Sequence, residues 1–208
     1  MSVLRLLCLF SITGGGVPKK QFEYFRRELL QTYGYEHLFT LNNLEKAGLF
    51  RVQEGKSPWP LIKKSLRLAV EDNDDSNPKD IAYVYSGYAP MSIRLVQHAL
   101  KGGWGAIDET LRLLPGPAFQ KKQLLDASIQ SDSPADHFHY ENAGAGQDGR
   151  RSLVLVVFIG GVTFAEISAL RFLSKQEDMK CDFIVATTKL VNGSSLLETL
   201  TDDPLSLR

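Results

Sequence analysis

The sequence predicts an α/β protein with a largely helical part. Three observations carry that reading. Apolar residues recur at helical spacing through the first 120 residues, a buried strand–helix–strand pattern occupies 153–188, and the stretch between them falls to Ser, Asp, Gly, Gln and Ala. At 208 residues the chain is long enough for one generous domain or two small ones.

The elements follow in order. Val3, Leu4, Leu7 and Phe10 or Ile12 mark a helix over 2–12, which "TGGGVP" at 13–18 stops. A second helix over 18–32 sets Phe22, Phe25, Leu29 and Leu30 against Arg26 and Arg27, and "YGY" at 33–35 breaks it. In "LFTLNNLEKAGLF" Thr40 is expected to cap a short helix with apolar teeth Leu41, Leu44 and Ala47, and Gly48 to take the left-handed position after it. Residues 61–70 read as helix again, followed by the loop "DDSNPKD". "IAYVYSGY" at 81–88 is rich in β-formers and aromatics, and Pro90 is placed to open the helix "PMSIRLVQHAL" as its first residue. A further helix spans 104–114. The composition of 121–151 predicts a flexible insert. Beyond it come a strand over 153–159, a helix over 164–175 and a strand over 182–188, an order that predicts a parallel pair with a right-handed crossover. Two strands alone leave edges and a face to be covered by something else.

The formal net charge is zero, which argues against a dedicated nucleic-acid binder. The first 70 residues nonetheless hold eleven Lys/Arg against five Glu, a surplus read as a solvated helix face. Cys8 and Cys181 have no metal-like or redox spacing and read as buried thiols in a reducing compartment. "MSVLRLLCLF" is too short and too interrupted by Arg5 for a secretory signal, and no apolar segment is long enough to span a bilayer. These features place the chain in the cytosol.

No catalytic constellation emerges. "IGGVTFAE" has the outline of a phosphate-binding turn, and a nucleotide-dependent enzyme using Gly160–Gly161 is one alternative. The turn lacks a following Lys-Ser/Thr pair and a third glycine, whereas Thr163 and Glu166 make a capping box that would use the same backbone donors. A second alternative is a winged-helix nucleic-acid binder over 22–52, but its recognition helix "LNNLEK" offers only Asn42, Asn43 and Lys46 to a phosphate backbone. His137 and His139 lie in the low-complexity stretch without further ligands at metal spacing, and His37 and His98 have no nucleophile nearby in sequence. Ser86 lacks a nucleophile elbow, and Ser194–Ser195 read as a helix cap. Tyr83, Tyr85, Tyr88 and Trp104 read as packing residues. No catalytic residue, cofactor or metal is expected.

Several long stretches together resemble one family. "RRELLQTYGYEHLFTLNNLEKAGL", "DIAYVYSGYAPMSIRLVQ", "LRLLPGPAF", "VVFIGGVTFAEISALRFLS" and "DFIVATTKLVNGSS" are similar, in the same order, to the C-terminal third of SM proteins (Sec-1/Munc-18 type), in the branch that serves the HOPS and CORVET tethering complexes. The resemblance implies a non-enzymatic role in SNARE-mediated fusion of endosomes with vacuoles or lysosomes. It implies a helical remnant of the third SM domain over 1–120, the insert over 121–151, and the last strands and helices of the α/β second domain over 152–208. It implies a cytoplasmic protein, peripheral on late endosomal and vacuolar membranes. Its partners would be the helical adaptor vacuolar protein sorting-associated protein 16 and other HOPS/CORVET subunits, with SNAREs bound only by a longer chain. The adaptor-facing positions fall on Arg26, which is Lys in some relatives, on the aromatic Tyr35 and on the apolar Leu38.

Overall fold

The computed structural model describes residues 2–71, 77–114 and 151–201, so most of the expected insert and the histidines at 137 and 139 lie outside the described residues. Helices and a two-stranded parallel sheet together make a mixed helix/sheet chain, which packs as two units. The first unit joins residues 1–61 to 189–208; the second is 62–188. Packing thus groups the chain differently from the expected boundaries near 120 and 152.

In the first unit, α1 (Ser2–Gly14) and α2 (Lys19–Tyr33) are separated by glycines at 15 and 16, both at positive φ. The tight approach demands them: a Cβ at Gly16 would lie 2.5 Å from the Gln53 backbone. A 3-10 turn over Tyr35–His37 runs directly into α3 (Leu38–Lys46). The core is built from Cys8, Val17, Phe22, Leu29, Leu41, Leu44 and Phe50, with Phe22 stacked on Phe50 at 4.5 Å. The C-terminal helix α8 (Gly193–Glu198) closes it: Leu197 is buried in the same core, and Asn43 Nδ2 donates to the Leu200 carbonyl at 3.2 Å. Asn192, not the serine pair, caps α8; Ser194 and Ser195 lie inside its first turn, where Ser195 completes the capping box.

Helix α4 (Trp59–Ser65) stops short of the predicted residue 70. Arg67 adopts a left-handed backbone, and the chain then pairs at a single antiparallel bridge, Ala69 with Tyr88. The second unit continues through a 3-10 turn over Ile81–Tyr85, α5 (Met91–Gly102), a 3-10 turn over Trp104–Ile107 and the short α6 (Asp108–Leu111). Three expectations are corrected here. The β-prone 81–88 segment is a 3-10 turn over Ile81–Tyr85 with a single bridge residue at Tyr88, because Asp80 caps the turn through the Ala82 N–H and Ser86 ends it in the left-handed region. The helix over 104–114 is reduced to a 3-10 turn and one helical turn. Trp104 and Tyr85 are about half exposed rather than buried, while Tyr83 packs against Phe172 with ring centroids 5.1 Å apart.

The α/β unit matches the sequence reading closely. β1 (Ser152–Phe158) and β2 (Cys181–Thr187) pair in parallel, Val154 opposite Phe183 and Val156 opposite Val185, and α7 (Phe164–Lys175) connects them. One sheet face, with Val156, Phe158, Phe183 and Val185, packs with Ile81, Ile93, Ala169, Leu170 and Leu173 into the second unit's core. The opposite face leaves Leu153, Leu155, Val157 and Ile184 exposed. Cys8 and Cys181 are buried free thiols, and burial pushes both thiols above their ordinary range.

The buried Arg94 ties this unit together. Its guanidinium donates to both Asp80 oxygens at 2.7 and 3.0 Å, to Gln97 Oε1 at 2.6 Å and to the Arg67 carbonyl at 3.0 Å. Burial raises the Asp80 carboxyl's pKa, but the hydrogen bonds from Arg94 and Ala82 and the nearby positive charges outweigh it, and the net direction is down.

Candidate partner-binding surface

The sequence-predicted positions Arg26, Tyr35 and Leu38 all belong to the α2–α3 corner of the first unit. Gly34 ends α2 at φ +108°, a conformation an L side chain rarely adopts. The chain leaves it in the 3-10 turn, so Tyr35 projects outward and is 71% exposed. The Leu38 N–H donates to the Tyr35 carbonyl, which places these two residues at the ends of one turn. Leu38 itself is half-buried. Leu38, Asn42 and Glu45 lie at i, i+4 and i+7, one stripe of α3. Arg26 reaches that stripe from α2: its Nη2 donates to Asn42 Oδ1 at 2.5 Å and its Nη1 to Glu45 Oε2 at 3.0 Å. The corner therefore brings the three predicted residues onto adjoining surface, with the Arg26 charge already paired.

Two local expectations fail at this corner. Thr40 does not cap α3. The helix starts at Leu38, two residues earlier, because the 3-10 turn feeds it without a polar cap; Thr40 is 1% exposed, and its hydroxyl has no partner among the described residues. Ala47 is the exposed C-cap residue rather than an apolar tooth, while Gly48 takes the left-handed position at φ +72° as expected. Phe39, which the sequence reading passed over, is 62% exposed. Its signal was present: it follows Tyr35 by four residues.

The competing sites are built differently. At the glycine turn, Thr163 Oγ1 accepts from the Glu166 N–H at 3.2 Å, while the Thr163 N–H and hydroxyl both donate to Glu166 Oε2 at 2.8 Å. The other Glu166 oxygen accepts from the Ser92 hydroxyl, and the Gly160 N–H donates to Thr188 Oγ1 at 3.0 Å. A carboxylate thus already occupies the end of the helix dipole that would attract a phosphate. In the proposed recognition helix, Asn42 holds Arg26 and Asn43 bonds the Leu200 carbonyl. After α3 the chain makes one parallel bridge, Val52 to Val17, where a winged helix would place a hairpin.

A cleft of about 980 Å³ in the second unit is lined by Arg67, Asp80, Arg94, His98, Lys101 and Asp178, among others. Two ion pairs stand on its walls, Arg94–Asp80 and Lys101–Asp178, the latter at 2.6 Å. Desolvation and then the Arg94 and Lys101 charges push the His98 pKa down, so its ring stays neutral at pH 7. Among the described residues no cluster of His, Cys, Asp and Glu could hold a metal, and no helix is long and apolar enough to cross a membrane.

Comparison with known proteins decides the family. The Sec1 family matches residues 1–199. This chain belongs to the Sec1 family. It is 59% identical over 198 residues to the vacuolar protein-sorting-associated protein 33 homolog of Arabidopsis thaliana, covering 95% of this chain and 33% of that protein. It is 50% identical to the rat vacuolar protein sorting-associated protein 33A (98% of this chain, 32% of the relative) and 37% identical to protein 33 of Schizosaccharomyces pombe (94% and 32%). This Sec1-family chain spans about a third of the length of the curated relatives it matches. The resemblance read from the long sequence stretches holds for the family and for relatives named for vacuolar protein sorting.

Proposed function

We propose that the chain is a protein-docking segment of an SM-type tethering subunit that supports SNARE-mediated fusion in transport to the vacuole or lysosome. The family match over residues 1–199, with relatives named for vacuolar protein sorting, carries this reading. The docking face is the α2–α3 corner, with Arg26, Tyr35 and Leu38 toward the helical adaptor vacuolar protein sorting-associated protein 16, within HOPS or CORVET. SNARE binding belongs to the longer protein. In this reading residues 1–120 derive from the third SM domain and 152–208 from the second. The exposed face of Leu153, Leu155, Val157 and Ile184 is covered by other parts of that α/β domain. The protein acts without catalysis or cofactor, on the cytoplasmic side of late endosomal and vacuolar membranes.

A pull-down with the adaptor tests it. The wild-type chain is expected to retain the adaptor, and the double variant Arg26→Glu/Tyr35→Asp to lose it while keeping its melting temperature. Retention unaffected by both changes sinks the assignment of the face.

A further inference from the structure

We propose that the cleft of the second unit is a binding site for a small phosphate-bearing anion, either free in solution or carried as a lipid headgroup. The proposal is independent of the docking reading, which concerns the first unit. The cleft volume of about 980 Å³ is that of a roomy small-molecule site. Its lining carries five cations, Arg67, Lys79, Arg94, Lys101 and Lys175, against the carboxylates of Asp80, Glu177 and Asp178. Asp80 is spent on Arg94 and Asp178 on Lys101. That leaves Arg67, Lys79 and Lys175 without an ion pair among the described residues, and Glu177 as the one carboxylate set against them. Lys101 and Lys175 stand in the last turns of α5 and α7, where a cation also complements the helix dipole. Lys79 belongs to no helix, so the dipole does not account for it.

A second observation points to a ligand. Arg94 lines the cleft and is 5% exposed, yet its Nε–H has no acceptor among the described residues. The two other guanidinium nitrogens are engaged by Asp80, Gln97 and the Arg67 carbonyl. A buried donor on a charged group is costly unless an anion or a water accepts from it. The bond from Arg94 Nη2 to the Arg67 carbonyl also holds Arg67 at φ +47°, a backbone that a residue with a side chain adopts only where its surroundings impose it. Arg94 thus joins the unused donor to an unpaired cation in one wall of the cleft. The guanidinium fork of Arg67 matches two phosphate oxygens, and the lysines add point charges around them. The anion accepts from the Arg94 Nε–H directly or through one bridging water.

Calorimetric titration of the full chain with pyrophosphate at low salt tests this. The expected result is saturable binding, weakened about tenfold or more in Arg67→Ala/Lys175→Ala. It should be unchanged in Lys19→Ala/Lys20→Ala, a control pair on α2 of the first unit. In NMR spectra the Nε–H resonance of Arg94 is expected to move with the same midpoint. Sedimentation with phosphatidylcholine vesicles, plain or containing phosphatidylinositol phosphate, identifies the source. Arg67-dependent binding to the phosphorylated vesicles, displaced by pyrophosphate, assigns the lipid headgroup; pyrophosphate binding without vesicle binding assigns the free anion. Should Arg67→Ala/Lys175→Ala fail to fold, Lys79→Ala/Lys175→Ala carries the same test. Absence of pyrophosphate binding, an equal loss in Lys19→Ala/Lys20→Ala, or an Arg94 resonance that stays fixed at saturation overturns the inference. So does a poly-glutamate peptide held more tightly than pyrophosphate by the same residues, because the cleft would then serve a protein.

Discussion

Two glycine turns that open onto helices, at Gly160–Gly161 and at Gly34, are finished in opposite ways. At Gly160–Gly161 the polar groups are used internally: Thr163 and Glu166 cap each other, and Ser92 fills the remaining carboxylate oxygen. At Gly34 the helix that follows has no polar cap, and two aromatic rings are left in solvent. Polar self-satisfaction marks the first as scaffold, since a carboxylate already holds the N-terminus of the helix. On the proposed reading, the exposed rings beside a paired charge make the second the docking surface. The turn that looks like a binding site in the sequence is the closed one.

Breaking the scaffold should cost stability and spare docking. The largest effect is expected at Arg94, whose removal strands Asp80 and releases the Arg67 carbonyl; Arg94→Ala should destabilise by about 3 kcal/mol in denaturant melts. Arg94→Lys should not restore it, because an ammonium cannot reproduce the forked contacts. Glu166→Ala removes the capping box and the Ser92 contact, and should cost about 1–2 kcal/mol with adaptor affinity unchanged.

At the open turn, Gly34→Ala is expected to cost about 1 kcal/mol. The atoms nearest the new Cβ belong to the Glu36 carboxylate, which can swing away, so the positive φ is the lasting strain. Because that strain moves Tyr35, this variant should also weaken the adaptor, unlike Glu166→Ala.

The smallest effect concerns pH. The folded Asp80 carboxyl titrates below its unfolded value of about 4, so its contribution is present above that value and is lost as pH falls through the lower, folded one. Melting temperature measured from pH 6 downward should therefore drop less steeply in Asp80→Asn than in wild type.

Much of this contrast was legible in the sequence. Helix α7, both strands and the Thr163–Glu166 box follow from an apolar run, a cap pattern and helical periodicity, which local physics reproduces. The β-prone 81–88 segment was misread because its propensities yield to the Asp80 cap and to packing of Ile81 and Ala82 in the core. Thr40 was misread because a 3-10 turn can feed a helix without a polar cap. The pairing of Arg26 with Asn42 and Glu45 joins residues 16 and 19 apart on different helices, so only the folded corner discloses it.

The most direct test sets the two turns against each other in one experiment: adaptor affinity and melting temperature for Arg26→Glu/Tyr35→Asp and for Glu166→Ala. The expected result is a crossed pattern, in which the first loses the adaptor at an unchanged melting temperature and the second keeps the adaptor while melting earlier. Loss of adaptor binding in Glu166→Ala at an unchanged melting temperature, with full binding in the double variant, would place docking at the other turn and contradict this account.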